Sequence, residues 1–138
     1  MENEITYTIL GFRLWKFGFG IGLFPTEGTP TQVTCDFESA LKYRKYLVGF
    51  YHTHPNMLNY PSNMDIRAFY AWGNCLGKTI NCLIDGIDAE YSSMLAGDVW
   101  SAISNYKFET YPYEDKPDKH SYAGHAYKIG RFFFWKDL

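Results

Sequence analysis

Residues 47–54, LVGFYHTH, form an apolar run that ends in two histidines and meets Pro55 at once. A run rich in β-branched and aromatic side chains and closed by proline predicts a central strand that delivers its C-terminal end to a loop. In a strand, residues two apart point to the same face, separated by about 6.5–7 Å along the chain. His52 and His54 therefore share a face, where their imidazoles either pack or bind a common ligand.

The flanking segments supply the rest of a sheet. ITYTILGF (5–12) reads as a strand. RLWKFGFGIGLFPT follows as a second, antiparallel strand, whose glycines at 18, 20 and 22 admit close approach by another backbone. A phosphate-cradling loop is the poorer reading there, because no helix start and no Lys-Ser/Thr pair follow. PTEGTPT is a turn, QVTCDF a third strand, and ESALKYRKYL a helix that Asp36 caps and Glu38 favours in its first turn. After the histidines, NMLNYP is a loop. NMDIRAFYAWGNCL is a helix capped by Ser62 and stopped around Gly73 to Gly77, and KTINCLIDG is another apolar strand. AEYSSML reads as a short strand or irregular segment, GDVWSAISNYKFETYPY as mixed strand and helix, EDKPDKHSYAG as an exposed loop, and HAYKIGRFFFWKDL as a final strand. No repeat, low-complexity tract or linker divides the chain. Residues 1–138 thus read as a single α/β (α+β) domain with a mixed, strand-rich sheet flanked by helices.

Composition narrows the function classes. With 46% hydrophobic and 20% charged residues the chain suits a folded globule, and its formal net charge of −2 makes no case for nucleic acid or an anionic membrane. Aromatic residues reach 20%, which suits strands and leaves surface for a partner. The longest apolar runs break well short of a membrane span, and MENEITYTIL lacks the basic start and apolar core of a signal peptide. Cys35, Cys75 and Cys82 form neither a closed disulfide set nor a CxxC pair, so a reducing, cytoplasmic compartment is expected.

A metal is the sharper reading of the two histidines. Zinc accepts imidazole nitrogen at about 2.0–2.1 Å, and a third ligand has to come from elsewhere. With Ser62 as cap, Asp65 is the third residue of the following helix, and the loop PNMLNYPS can fold that helix start over the strand's end. Two histidines and one carboxylate leave a tetrahedral position open for water, as catalytic zinc requires. The plainer alternative is a pair of packed histidines beside an ordinary helix cap. The full spacing His-x-His-Pro-x6-Ser-x2-Asp would arise by chance in only ~10⁻⁵ of chains of this length. His120 and His125 read as surface or packing residues.

HTHPNMLNYPSNMD resembles the signature of the JAMM (MPN+, JAB-type) zinc metallopeptidases, and the preceding VGFY resembles the strand that carries it. The resemblance is tight over residues 47–65, loose over about 4–90 and absent from the C-terminal third. It implies the cytidine-deaminase-like JAB/MPN architecture, with zinc held by His52, His54 and Asp65 and the oxyanion stabilised by Ser62. It also implies a general-base glutamate that opens an early strand of the type Glu, apolar run, Gly. EITYTILG fits at Glu4, with Glu27 in reserve. One departure is that the family usually has a helix before that glutamate, and only three residues precede Glu4 here. The implied activity is hydrolysis of peptide or isopeptide bonds by a zinc-activated water. The implied substrate is a protein or peptide, commonly the C-terminal tail of a ubiquitin-like protein, for which addition to a sheet edge is the expected mode. Two alternatives stay open: a non-catalytic scaffold or binding module of the same fold, and a domain stapled by structural zinc.

Overall fold

A computed structural model describes residues 3–30, 33–58, 61–87, 100–108 and 120–138. Seven strands and two helices follow in the order β1 (Ile5–Leu14), β2 (Phe17–Glu27), α1 (Phe37–Lys42), β3 (Leu47–Leu58), α2 (Asn63–Leu76), β4 (Ile80–Ile87), β5 (Trp100–Phe108), β6 (His120–Ile129) and β7 (Phe132–Lys136). The strands close into a barrel in the order β1-β2-β7-β6-β5-β4-β3. Only β3 and β4 run parallel, joined by the α2 crossover, so the class is α+β.

Burial alternates along the strands and divides the core in two. A bulge opposite Ile9 and Leu10 leaves Val48 as the extra residue of β3. Val48 and Tyr51 consequently face the barrel interior with Ile9, Leu83, Ile103, Phe133 and Trp135. Leu47 and Phe50 face outward, where the helix residues Ala40, Phe69, Tyr70 and Leu76 cover them. Gly49 lets β3 and β4 approach closely, since a Cβ there would lie 2.3 Å from the Asn81 carbonyl oxygen. Inside the barrel a polar knot replaces apolar packing. Asn81 Nδ2 donates to Asn105 Oδ1 (2.8 Å) and Asp137 Oδ1 (3.0 Å), Asn105 Nδ2 donates to Asp137 Oδ1 (2.8 Å), and Arg13 pairs with Asp137 and Asn81. The buried carboxylate is thus both charge-paired and hydrogen-bonded, as burial demands.

Several expectations change. Val33–Asp36 forms no third strand; it runs irregularly into α1, whose cap is Asp36. β2 continues through PTE to Glu27 instead of turning, because an irregularity opposite Thr6 and Thr8, with Phe24 at φ 53°, absorbs Pro25. β3 likewise passes Pro55 and reaches Leu58, its register with β4 shifting after Thr53. Residues 100–108 are strand without helix, and His120–Gly124 belong to β6 rather than a loop. The final segment is a hairpin of β6 and β7 that turns at Gly130, φ 60°. AEYSSML lies outside the described residues. Because the sheet closes, no described strand offers a full free edge, so a tail cannot add to one along its length. No helix among the described residues is long and apolar enough to cross a membrane.

The cysteines give a test of this packing. Burial, with the Asp36 charge adding to it, pushes the Cys35 thiol up to about 12, and burial raises Cys82 well above the usual thiol range. Both thiols stay protonated and inert far above neutral pH, whereas Cys75 is exposed. Iodoacetamide at pH 8 should therefore give one adduct per folded chain, at Cys75, and three in denaturant, as read by mass spectrometry.

Candidate metal centre

The β1–β3 ladder builds the site. Thr6 pairs with His52, and continuing that antiparallel register by two residues sets Glu4 opposite His54. Thr53 points the other way, and its Oγ1 accepts the Ile5 N–H at 2.7 Å, pinning the start of β1. The main chain of Glu4 is held from its other side, where its N–H donates to Thr29 O (2.9 Å) and its carbonyl accepts from Gly28 N–H (3.0 Å). Glu4, His52 and His54 are all buried. Asp65 arrives from α2, whose start is a capping box: Ser62 Oγ accepts the Asp65 N–H (3.1 Å), and Asp65 Oδ2 accepts the Ser62 N–H (3.0 Å).

Four side chains converge. His52 Nε2 lies 2.9 Å from Glu4 Oε1 and 3.3 Å from Asp65 Oδ1, while His54 Nε2 lies 3.0 Å from Asp65 Oδ2. The imidazoles meet edge to face with centroids 4.7 Å apart, and Phe69 closes on His52 at 6.4 Å. His52 Nε2 is buried without a well-formed hydrogen bond, and so is Glu4 Oε2. Orphaned polar atoms of this kind cost about 1–3 kcal/mol each. Glu4, His52 and His54 offer ligand atoms within 4.8 Å of one another. Tetrahedral donors at 2.0–2.1 Å from a cation lie about 3.3 Å apart, so the spacing and the nitrogen and oxygen donors fit zinc.

The two carboxylates are tuned in opposite directions. Burial raises the Glu4 carboxyl above its ordinary value, with Asp65 adding to the rise and the two imidazoles opposing it. Burial alone would raise Asp65 too, but His52, His54 and the Ser62 N–H outweigh it and hold Asp65 well below the usual carboxylate range. The result is one fixed anion beside one carboxylate that accepts protons more readily.

Among the glutamates of the described residues, only Glu4 lies at the histidines. Glu27 is exposed at the end of β2, where Oε1 accepts from Asn3 Nδ2 at 3.3 Å, and Glu38 is exposed on α1. His125 is on β6 against Tyr122, its Nδ1 2.6 Å from the phenol oxygen. A cleft of about 100 Å³ opens beside His52 and Asp65, with Ser62 on its wall. Thr6, Val33, Thr34, Phe69 and Trp72 also line it. Sequence reasoning missed these. Phe69 and Trp72 carried a signal, since they follow Asp65 at the i+4 and i+7 positions of one helix face. Val33 and Thr34 carried none, because irregular backbone has no period.

Ser62 makes a separable contribution to folding. Ser62→Ala should lower the unfolding free energy by about 1 kcal/mol and Ser62→Gly by only a few tenths, as read by urea denaturation of the metal-free protein.

A family model described as prokaryotic homologs of the JAB domain matches residues 10–112, a span that includes His52, His54, Ser62 and Asp65 and begins six residues after Glu4. No individual curated relative matches. The matched span is most of the chain, and the chain belongs to the prokaryotic JAB-domain family.

Proposed function

We propose that the protein is a zinc-dependent hydrolase of peptide or isopeptide bonds, in which His52, His54 and Asp65 hold the cation, Glu4 transfers protons and Ser62 steadies the oxyanion. The observation that carries this reading is the buried Glu4 carboxylate, 2.9 Å from a histidine nitrogen that also faces Asp65 and makes no well-formed hydrogen bond. A bound cation supplies Lewis acidity and brings the pKa of its water toward about 7. Glu4 takes the proton from the attacking water and returns it to the leaving amine. Its raised pKa and its unpartnered Oε2 both suit that exchange. Ser62 can serve two ends at once: its oxygen accepts the Asp65 N–H, which leaves its own O–H to donate to a developing oxyanion.

The substrate we propose is the extended C-terminal tail of a ubiquitin-like protein. The cleft supports a slim occupant. Its volume falls well below the roughly 300–1,000 Å³ of drug-sized pockets, and Thr6, Thr34 and Ala68 are among the small residues that line it. Closure of the barrel leaves the tail to lie across this cleft rather than along a sheet edge. Two buried thiols and one exposed thiol, none of them in a disulfide, suit a reducing cytoplasm.

Purified protein should carry about one zinc per chain, and His54→Ala should lose it; equal metal in both, by elemental mass spectrometry, would sink the ligand assignment. Glu4→Gln should keep zinc and fold yet lose hydrolysis of a ubiquitin-like protein fused through its C-terminus by about 10²- to 10⁴-fold, while Glu27→Gln stays near wild type. Zinc binding with no hydrolysis by wild type across a panel of such fusions would favour the scaffold reading.

A further inference from the structure

β2 reverses the usual pattern of a barrel strand. Its glycines at 18, 20 and 22 face the interior, where a Cβ on Gly18 would lie 2.2 Å from Trp135, while Phe17, Phe19 and Ile21 face out. A strand with one solvated face ordinarily carries its apolar residues inward. The register spreads this inversion over the neighbouring strands in three rows. Leu14, Phe17 and Lys136 align nearest the β1–β2 turn, Phe12 and Phe19 in the next row, and Phe132 and Ile129 in the third. The rings touch along the face, with Phe12 and Phe19 centroids 5.7 Å apart and Phe19 and Phe132 centroids 6.4 Å apart. The six apolar side chains of these rows are each between 44% and 70% exposed. At about 200 Å² per large side chain they expose on the order of 650 Å², close to the roughly 800 Å² each partner contributes to a standard interface. Among the described residues no element covers them.

The face names its partner by what it lacks. Lys136 is the one charge in the rows, with its ammonium 5.5 Å from the Phe17 ring centroid. Permanent homodimer interfaces are this apolar, whereas transient ones are about as polar as the rest of the surface. Closure of the barrel leaves faces rather than edges for association. Two sheets stacked face to face keep their strands within about 30° of one line. With the strands of two copies antiparallel about a two-fold axis at the middle row, rings meet rings. The two Lys136 side chains then lie at opposite ends, roughly 14 Å apart along the strands and beyond a Debye length of about 8 Å. A bilayer fits less well. Entered from the β1–β2 turn, it would take Lys16 down ahead of the rings, and from the β6–β7 turn, Arg131. Laid flat, the face would offer anionic headgroups Lys16 and Lys136 at one end alone. We infer that two copies of this chain pair through these rows, face to face and two-fold symmetric. Phe132 is level with Leu10, about 20 Å of strand from Glu4, so each copy keeps its own cleft.

Sedimentation velocity of the purified chain in the micromolar range should show one species at twice the 16.1 kDa chain mass, with or without zinc. Phe19→Lys, which sets like charges against each other near the axis, should weaken pairing at least about a hundredfold. Phe19→Ser with Phe132→Ser should weaken it at least about tenfold. Leu41→Ser and Tyr46→Ser, at exposed apolar residues outside the face, should leave the dimer intact. Far-UV circular dichroism and zinc content should match wild type in every variant, which separates lost pairing from lost fold. A wild-type monomer throughout the micromolar range would overturn the inference. So would a dimer that persists in folded Phe19→Lys, or one that Leu41→Ser abolishes as readily. Flotation of wild type with phosphatidylglycerol vesicles, with no dimer in buffer, would overturn it in favour of a membrane.

Discussion

The antiparallel ladder between β1 and β3, from Thr6 against His52 to Ile9 against Gly49, is the join on which both the fold and the site depend. Without it the sheet stays open between β1 and β3, and the same absence removes Glu4 from the histidines. The ladder also explains why Thr53 is a threonine. Its side chain faces away from the cleft, where its hydroxyl anchors the Ile5 N–H and keeps the first strand in step with the third. Burial of Glu4 is tolerable only because two imidazoles face it. Its second oxygen is left without any partner, which marks the place as built for something more than packing.

Asp65 shows how local and long-range demands meet in one side chain. As the third residue of α2 it closes a capping box, and from the same position it reaches both histidines. The helix start is thereby fixed by the groups that face the cleft. Phe69, one turn on, supports His52 from behind, so the imidazole is oriented by packing as well as by charge.

What was legible in the sequence was mostly what short-range physics decides. The period of two put His52 and His54 on one face, and the spacing of Ser62 and Asp65 read directly as a cap, because both patterns are complete within a few residues. Glu4 lies far from the histidines in sequence, and it was reachable only through the family resemblance, as the head of an apolar run ending in glycine. Barrel closure was not legible. It depends on β2 meeting β7, and nothing in FGFGI announces FFFWK as its neighbour. The FFFW run read as one strand because its aromatics masked Gly130, the residue at which β6 turns into β7. The two prolines misled in the same way: Pro25 and Pro55 read as stops, while irregular register lets the strands carry on past them.

The two seams of the barrel also differ in how far apart their strands lie in the chain. Thr6 meets His52 across 46 positions, whereas Phe17 meets Lys136 across 119. Loop-closure entropy has to be met before a distant pairing repays it, so the β2–β7 seam is the slower of the two to form. Assembly then has a direction. The β1–β3 half, with its four ligand-type side chains, can come together while Phe132–Trp135 still wait for their place. A cation captured at that stage would act as a folding nucleus, and metal supply would govern the yield of native chain as well as its chemistry.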